Sequence, residues 1–170
     1  MKVNLIEDAN ITGLSLVEKP ANGSLICNEL EGCSIDGNTI DVVVLKSNDK
    51  IYRKPTENQD ERFIYWNKES LERTAHNTYG KDIKTTLNHN GIDREDISIL
   101  ESYVDSGSWK MKLQVSNEIK DQIKDGKLKG VSIEGTSKER TIIDITKNLD
   151  KLYTDAKQLE TQTRKDIFLD

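Results

Sequence analysis

The apolar residues of this chain come in short runs separated by turn formers, and that feature restricts its fold more than any other. No run approaches the ~18 residues needed to cross a membrane as a helix. Ile11 to Val17 ends at Pro20-Ala21-Asn22-Gly23, and Thr39 to Leu45 follows Asp36-Gly37-Asn38. Runs of this kind, rich in β-branched residues and bounded by Gly, Pro, Asn and Asp, read as strands joined in hairpins. The same pattern predicts strands at Phe63-Ile64-Tyr65-Trp66, Lys84 to Leu87, Ile97 to Val104, Trp109 to Val115 and Leu128 to Ile133, with a turn at Asp105-Ser106-Gly107-Ser108. Ile51 to Asp60 is polar, holds Pro55 and lacks periodicity, so it reads as a loop.

Helical spacing appears in three places. Asn67 can cap a helix running to about Tyr79, with Leu71, Ala75 and Tyr79 on one face and Gly80 as its stop. A second, from about Asn117 to Asp125, buries Ile119 and Ile123 and stops at Gly126. In the tail, Ile145, Leu149, Leu152, Ala156 and Leu159 form an apolar stripe that predicts a helix docked on its own domain or, alternatively, mediating association between copies. Many short strands with separated helices imply an α+β domain, a mostly antiparallel β-barrel or sheet flanked by helices with a C-terminal helix. Regular βαβ alternation is absent. The expected organisation is an α+β domain over 1–138 and a C-terminal strand/helix appendage over 139–170.

At 170 residues the chain suits one domain. Its 25 basic and 30 acidic side chains leave a charge of −5, which argues against nucleic acid as a partner. The start, Met1-Lys2-Val3-Asn4-Leu5-Ile6-Glu7-Asp8, reaches charge too early for a secretory leader, so a cytosolic protein with no membrane partner is expected. Cys27 and Cys33 have neither knuckle spacing nor a second pair, and read as reduced thiols. No glycine-rich phosphate loop occurs, and no metal or cofactor is expected.

Chemistry is confined by the presence of only two histidines. His76 sits within the first helix, just past its apolar face. His89 lies in Thr86-Leu87-Asn88-His89-Asn90-Gly91, where a strand ends in a turn, and such positions project side chains into clefts from a fixed scaffold. In Lys129-Gly130-Val131-Ser132-Ile133-Glu134-Gly135, alternation turns Val131 and Ile133 to the apolar face and presents Ser132 with Glu134 on the other. Ser132 is thus a candidate nucleophile and His89 its candidate base. An acid that orients the histidine has two candidates. Glu101 shares a strand face with Ile97, Ile99 and Tyr103, an unusual setting for a carboxylate. Glu134 stands beside Ser132 at i+2, about 6–7 Å along the strand, which places it flanking the serine. Glu101, coming from a different strand, is the preferred choice.

Three segments together resemble the phage prohead maturation proteases, in particular the PBSX-type phage serine proteases. They are Ser15-Leu16-Val17-Glu18-Lys19-Pro20-Ala21; then Ile51-Tyr52-Arg53 with Phe63-Ile64-Tyr65-Trp66 and Lys68-Glu69-Ser70-Leu71-Glu72; and Ile99-Leu100-Glu101-Ser102 through Gly126-Lys127-Leu128-Lys129-Gly130-Val131-Ser132-Ile133-Glu134-Gly135. The resemblance spans about residues 13 to 136. It implies a herpesvirus assemblin-like serine endopeptidase that cleaves scaffold and major capsid protein extensions inside the procapsid, in the host cytoplasm, with homo-oligomers possible. The family's histidine falls on His89, its serine on Ser132 and its acid on Glu101. The segment between His89 and Glu101 is shorter than the family's, and the chain beyond Gly135 has no counterpart. The alternative function is a non-catalytic virion structural protein on the same scaffold.

Overall fold

The computed structural model describes residues 2–21 and 35–142. Within them the chain is a mixed α+β protein of two open sheets and two helices. The organising element is β1 (Lys2–Val17). Along one edge it carries β9 (Gly130–Ile142), antiparallel from Val3 opposite Ile142 to Val17 opposite Gly130. Its other edge is shared by two short parallel strands. β5 (Arg62–Tyr65) pairs with Lys2 to Leu5, and β6 (Lys84–Leu87) pairs with Gly13 to Leu16. β4 (Ile51–Arg53) adds to β5.

Helix α1 (Lys68–Thr78) connects β5 to β6 and closes over the stretch of β1 between them. Arg73 Nη1 donates to the Glu7 carbonyl at 3.2 Å, and Lys81 Nζ to Asn10 Oδ1 at 2.9 Å. Asn67 caps α1 through Oδ1, which accepts the Ser70 amide at 2.8 Å. The second sheet is antiparallel throughout, in the order β2 (Ile35–Asp36), β3 (Thr39–Lys46), β8 (Ser108–Val115) and β7 (Ile97–Asp105). Helix α2 (Asn117–Lys124), capped by Ser116, leads back to β9.

The core lies between the sheets. Ile6, Leu14 and Leu16 of β1, Ile40 and Val42 of β3, Trp109, Met111 and Leu113 of β8, and Leu71 and Ile119 from the helices are all 2% exposed or less. Each such aliphatic burial is worth roughly 1.5–3 kcal/mol, and one contiguous cluster joins both sheets and both helices.

Several sequence expectations change. Among the described residues no barrel closes; the sheets stay open. β1 and β3 do not form a hairpin, because both edges of β1 are occupied by later segments, a long-range pairing that local patterning does not carry. The segment expected as a loop contains β4, plus a bridge between Thr56 and Gln59. Tyr79 is the C-cap of α1 and 73% exposed, since the chain turns away there; Thr74 and Thr78 take the buried positions instead. The boundary placed after 138 falls inside β9, which pairs with β1 as far as Ile142. Cys27, Cys33 and the Ile145 to Leu159 stripe lie outside the described residues. Neither described helix is long and apolar enough to cross a membrane.

Candidate active site

Strand pairing creates one row of hydroxyls: Thr86 of β6 stands opposite Ser15 of β1, and Ser15 opposite Ser132 of β9. Leu14, Leu16 and Val131 point to the core face, so this row lies on the reverse face of the sheet. Ser15 and Thr86 are buried and Ser132 is half-buried.

The loop after β6 folds across that face. Asn88 and His89 both adopt left-handed backbone, with φ of 47° and 57°. This conformation costs a non-glycine residue roughly 1–2 kcal/mol, so surrounding bonds must hold it. Asn88 N donates to the Leu16 carbonyl at 2.9 Å, and Asn88 Oδ1 accepts the Glu18 amide at 3.0 Å. His89 N donates to Ser15 Oγ at 3.0 Å. The loop returns through Arg94, whose amide donates to the Thr85 carbonyl at 2.7 Å. Arg94 also forks Asp96 at 2.8 Å through both Nε and Nη2, and Ser116 Oγ donates to Asp96 at 2.7 Å. Those bonds, with Arg94 first, hold the Asp96 carboxyl down at about 2.

So anchored, the imidazole reaches β9. His89 Nδ1 lies 2.5 Å from Glu134 Oε1, with the two side chains 44% and 41% exposed. An ionised carboxylate only accepts, so this pairing requires the proton on Nδ1 and leaves Nε2 with its lone pair. Glu134 shares its strand face with Ser132. Two neighbouring residues make room for it. Gly13, opposite Glu134, would bring a Cβ to 3.4 Å from Glu134 Cβ and Oε2. A Cβ on Gly135 would lie 2.2 Å from the Asn10 carbonyl oxygen, so only glycine lets β9 approach β1 here.

Of the residues expected to form the site, His89 and Ser132 are brought to the same face of one sheet. Glu101 is not. Its carboxylate accepts from Lys112 Nζ at 3.3 Å on the second sheet, and the acid on His89 is Glu134. The reason is a bulge in β7: the register with β8 shifts between Ile99 and Glu101. Alternation therefore changes phase, Ile97 and Ile99 facing inward before it, Ser102 and Val104 after it, and Glu101 with Tyr103 outward. His76 is exposed on α1. Ser15 and Asn88, which position the loop, were legible only indirectly, Ser15 as a polar residue inside an apolar run and Asn88 as a turn former. Among the described residues no cluster of three His, Cys, Asp or Glu could hold a metal ion.

Compared with protein-family models, with curated proteins and with solved structures, the chain matches none.

Proposed function

We propose that the chain is a serine endopeptidase of the phage prohead maturation type, with Ser132 as nucleophile, His89 as general base and Glu134 as the orienting acid. The observation that carries the proposal is the Nδ1 contact of His89 with Glu134, made two residues from Ser132 on the same strand face. An imidazole lying along the strand would put one nitrogen on the carboxylate and offer the other to the hydroxyl, since i and i+2 stand roughly 6–7 Å apart. Flanking the serine is then compatible with orienting the histidine. The finer fold assignment, an assemblin-like scaffold, belongs to the same proposal and rests on the sequence resemblance.

In the reaction, Ser132 Oγ attacks the scissile carbonyl and its proton passes to His89 Nε2. The C–N bond breaks as that proton moves to the leaving amine. Water then hydrolyses the acyl-enzyme by the reverse proton route. Glu134 fixes the tautomer and stabilises the imidazolium. The substrates proposed are scaffold and major capsid protein extensions within the procapsid.

The test is coexpression with the neighbouring capsid and scaffold genes, followed by mass spectrometry of every new terminus. Wild type should generate defined termini, and Ser132→Ala and His89→Ala should each lower their rate of appearance on the order of 10³-fold or more. Processing that continues in Ser132→Ala excludes this serine; no processing by wild type leaves the virion structural role.

A further inference from the structure

A second concentration of charge lies beside β4, β5 and the middle of β9. A cavity of about 590 Å³ opens there, lined among others by Arg53, Arg62, Ile64, Trp66, Ile133 and Glu139. Arg62 forks Glu139, Nε to Oε2 at 2.8 Å and Nη2 to Oε1 at 2.9 Å, with the side chains 12% and 15% exposed. Asn4 Nδ2 adds a third bond to Glu139 Oε2 at 2.8 Å. Arg53 stands opposite Arg62 in the β4–β5 pair. It is half-buried, and among the described residues its guanidinium has no side-chain acceptor. Burial and the neighbouring Arg62 both push its proton affinity below the ordinary value.

Two guanidinia thus share one carboxylate. Glu134 also borders the cavity, but its Oε1 is taken by His89. A charge partly removed from water beside a like charge is unfavourable unless an acceptor arrives. The planar fork of arginine matches a carboxylate. Both Glu139 and Glu134 border the cavity, so a monoanion received at the Arg53 guanidinium is repelled less than a phosphate dianion would be. Ile64, Ile133 and Trp66 supply an apolar wall, and Trp66 itself is 3% exposed with an unpartnered indole Nε1.

We propose that this cavity binds a carboxylate on a short apolar stem, received by the Arg53 guanidinium and seated against Ile64, Ile133 and Trp66. The ligand is a peptide, and its carboxylate comes from an acidic side chain or from a free C-terminus. Neither Ser132 nor His89 lines the cavity, and the site does not depend on the proteolysis proposed above.

The experiment follows the two tryptophan indole N–H signals of the full chain by NMR during titration with four short probes. These are a Glu-containing peptide blocked at both ends, its Gln counterpart, an uncharged peptide with a free C-terminus, and inorganic phosphate. Saturable movement of the Trp66 signal is expected with one or both carboxylate peptides, and which of them binds identifies the source. The Gln peptide and phosphate should have no comparable effect. Arg53→Gln should weaken binding roughly tenfold or more, while Glu101→Gln, on the second sheet, should bind as wild type does. Should Arg53→Gln fail to fold, Arg53→Lys keeps the charge but loses the fork and must still bind more weakly. Binding of neither carboxylate peptide, equal binding of the Gln peptide or phosphate, or unchanged affinity in a folded Arg53 variant would overturn the assignment.

Discussion

Two carboxylates of β9, Glu134 and Glu139, face opposite sides of the sheet and hold their partners in different ways. Glu139 receives two bonds from Arg62 and one from Asn4, nearly out of solvent. Glu134 makes one contact, to an imidazole, with both side chains more than two-fifths exposed. The first arrangement has its bonding capacity committed and its charges desolvated, so it acts as a fixed joint between β5, β9 and β1. The second leaves a ring nitrogen uncommitted and water at hand, which gives it little structural value and the means to move a proton. One strand thereby separates holding the fold from proposed chemistry.

Removing each carboxylate in turn should break that comparison cleanly, and the larger effect is on rate. Glu134→Gln keeps the shape but favours the wrong histidine tautomer, so kcat/KM for cleavage should fall on the order of 10³–10⁴-fold, as when the acid of a triad is replaced by its amide. Its urea midpoint should stay near that of wild type. Undiminished cleavage by Glu134→Gln would remove this residue from the mechanism.

Glu139→Gln should show the converse. It leaves Arg62 desolvated and without a counter-charge, and breaking such a pair from one side costs about 3 kcal/mol. Urea unfolding at neutral pH measures the loss. A midpoint unchanged from wild type would mean that solvent already satisfies Arg62, and that the pair is no joint.

The two carboxylates also mark how far the sequence could be read. Alternation placed Ser132 and Glu134 on one face and Val131 and Ile133 on the other, and the structure has them so. Asn67, Gly80, Asn117 and Gly126 delimit the helices close to where they were expected because caps are local chemistry. What was not legible depended on long-range partners or on a single inserted residue. The parallel pairing of β5 and β6 to one edge of β1 joins segments far apart in sequence. The bulge at Leu100 carries no residue signature, yet Glu101 faces outward beyond it, and the carboxylate that meets His89 is Glu134.

Acid should separate the fixed joints from the exposed pair. Arg62, then Asn4, hold the Glu139 carboxyl below the usual range against the opposing effect of burial, and Asp96 stays at about 2 beside Arg94. Folded carboxyls below their unfolded value of ~4 contribute stability that is complete above that value. It is lost as pH falls towards the folded values. Urea midpoints should therefore be level near pH 5 and decline between about pH 4 and 2. Asp96→Asn and Glu139→Gln, each already less stable at pH 5, should show a shallower decline. An equally steep decline in both variants would assign the acid sensitivity to other groups.

The smallest expected effect belongs to the carboxylate that alternation favoured. Glu101 stands opposite Lys112, on an exposed face of the second sheet, and their single bond of 3.3 Å is open to water and salt. Such pairs gain little, because the attraction is screened and two long side chains must be ordered to make it. Glu101→Gln keeps the strand, the bulge and a hydrogen-bonding side chain. Both the urea midpoint and kcat/KM should match wild type within error, in low salt and high. If cleavage instead collapses while the fold stays intact, the acid of the site is Glu101, the contact between His89 and Glu134 is incidental, and the division of labour along β9 fails with it.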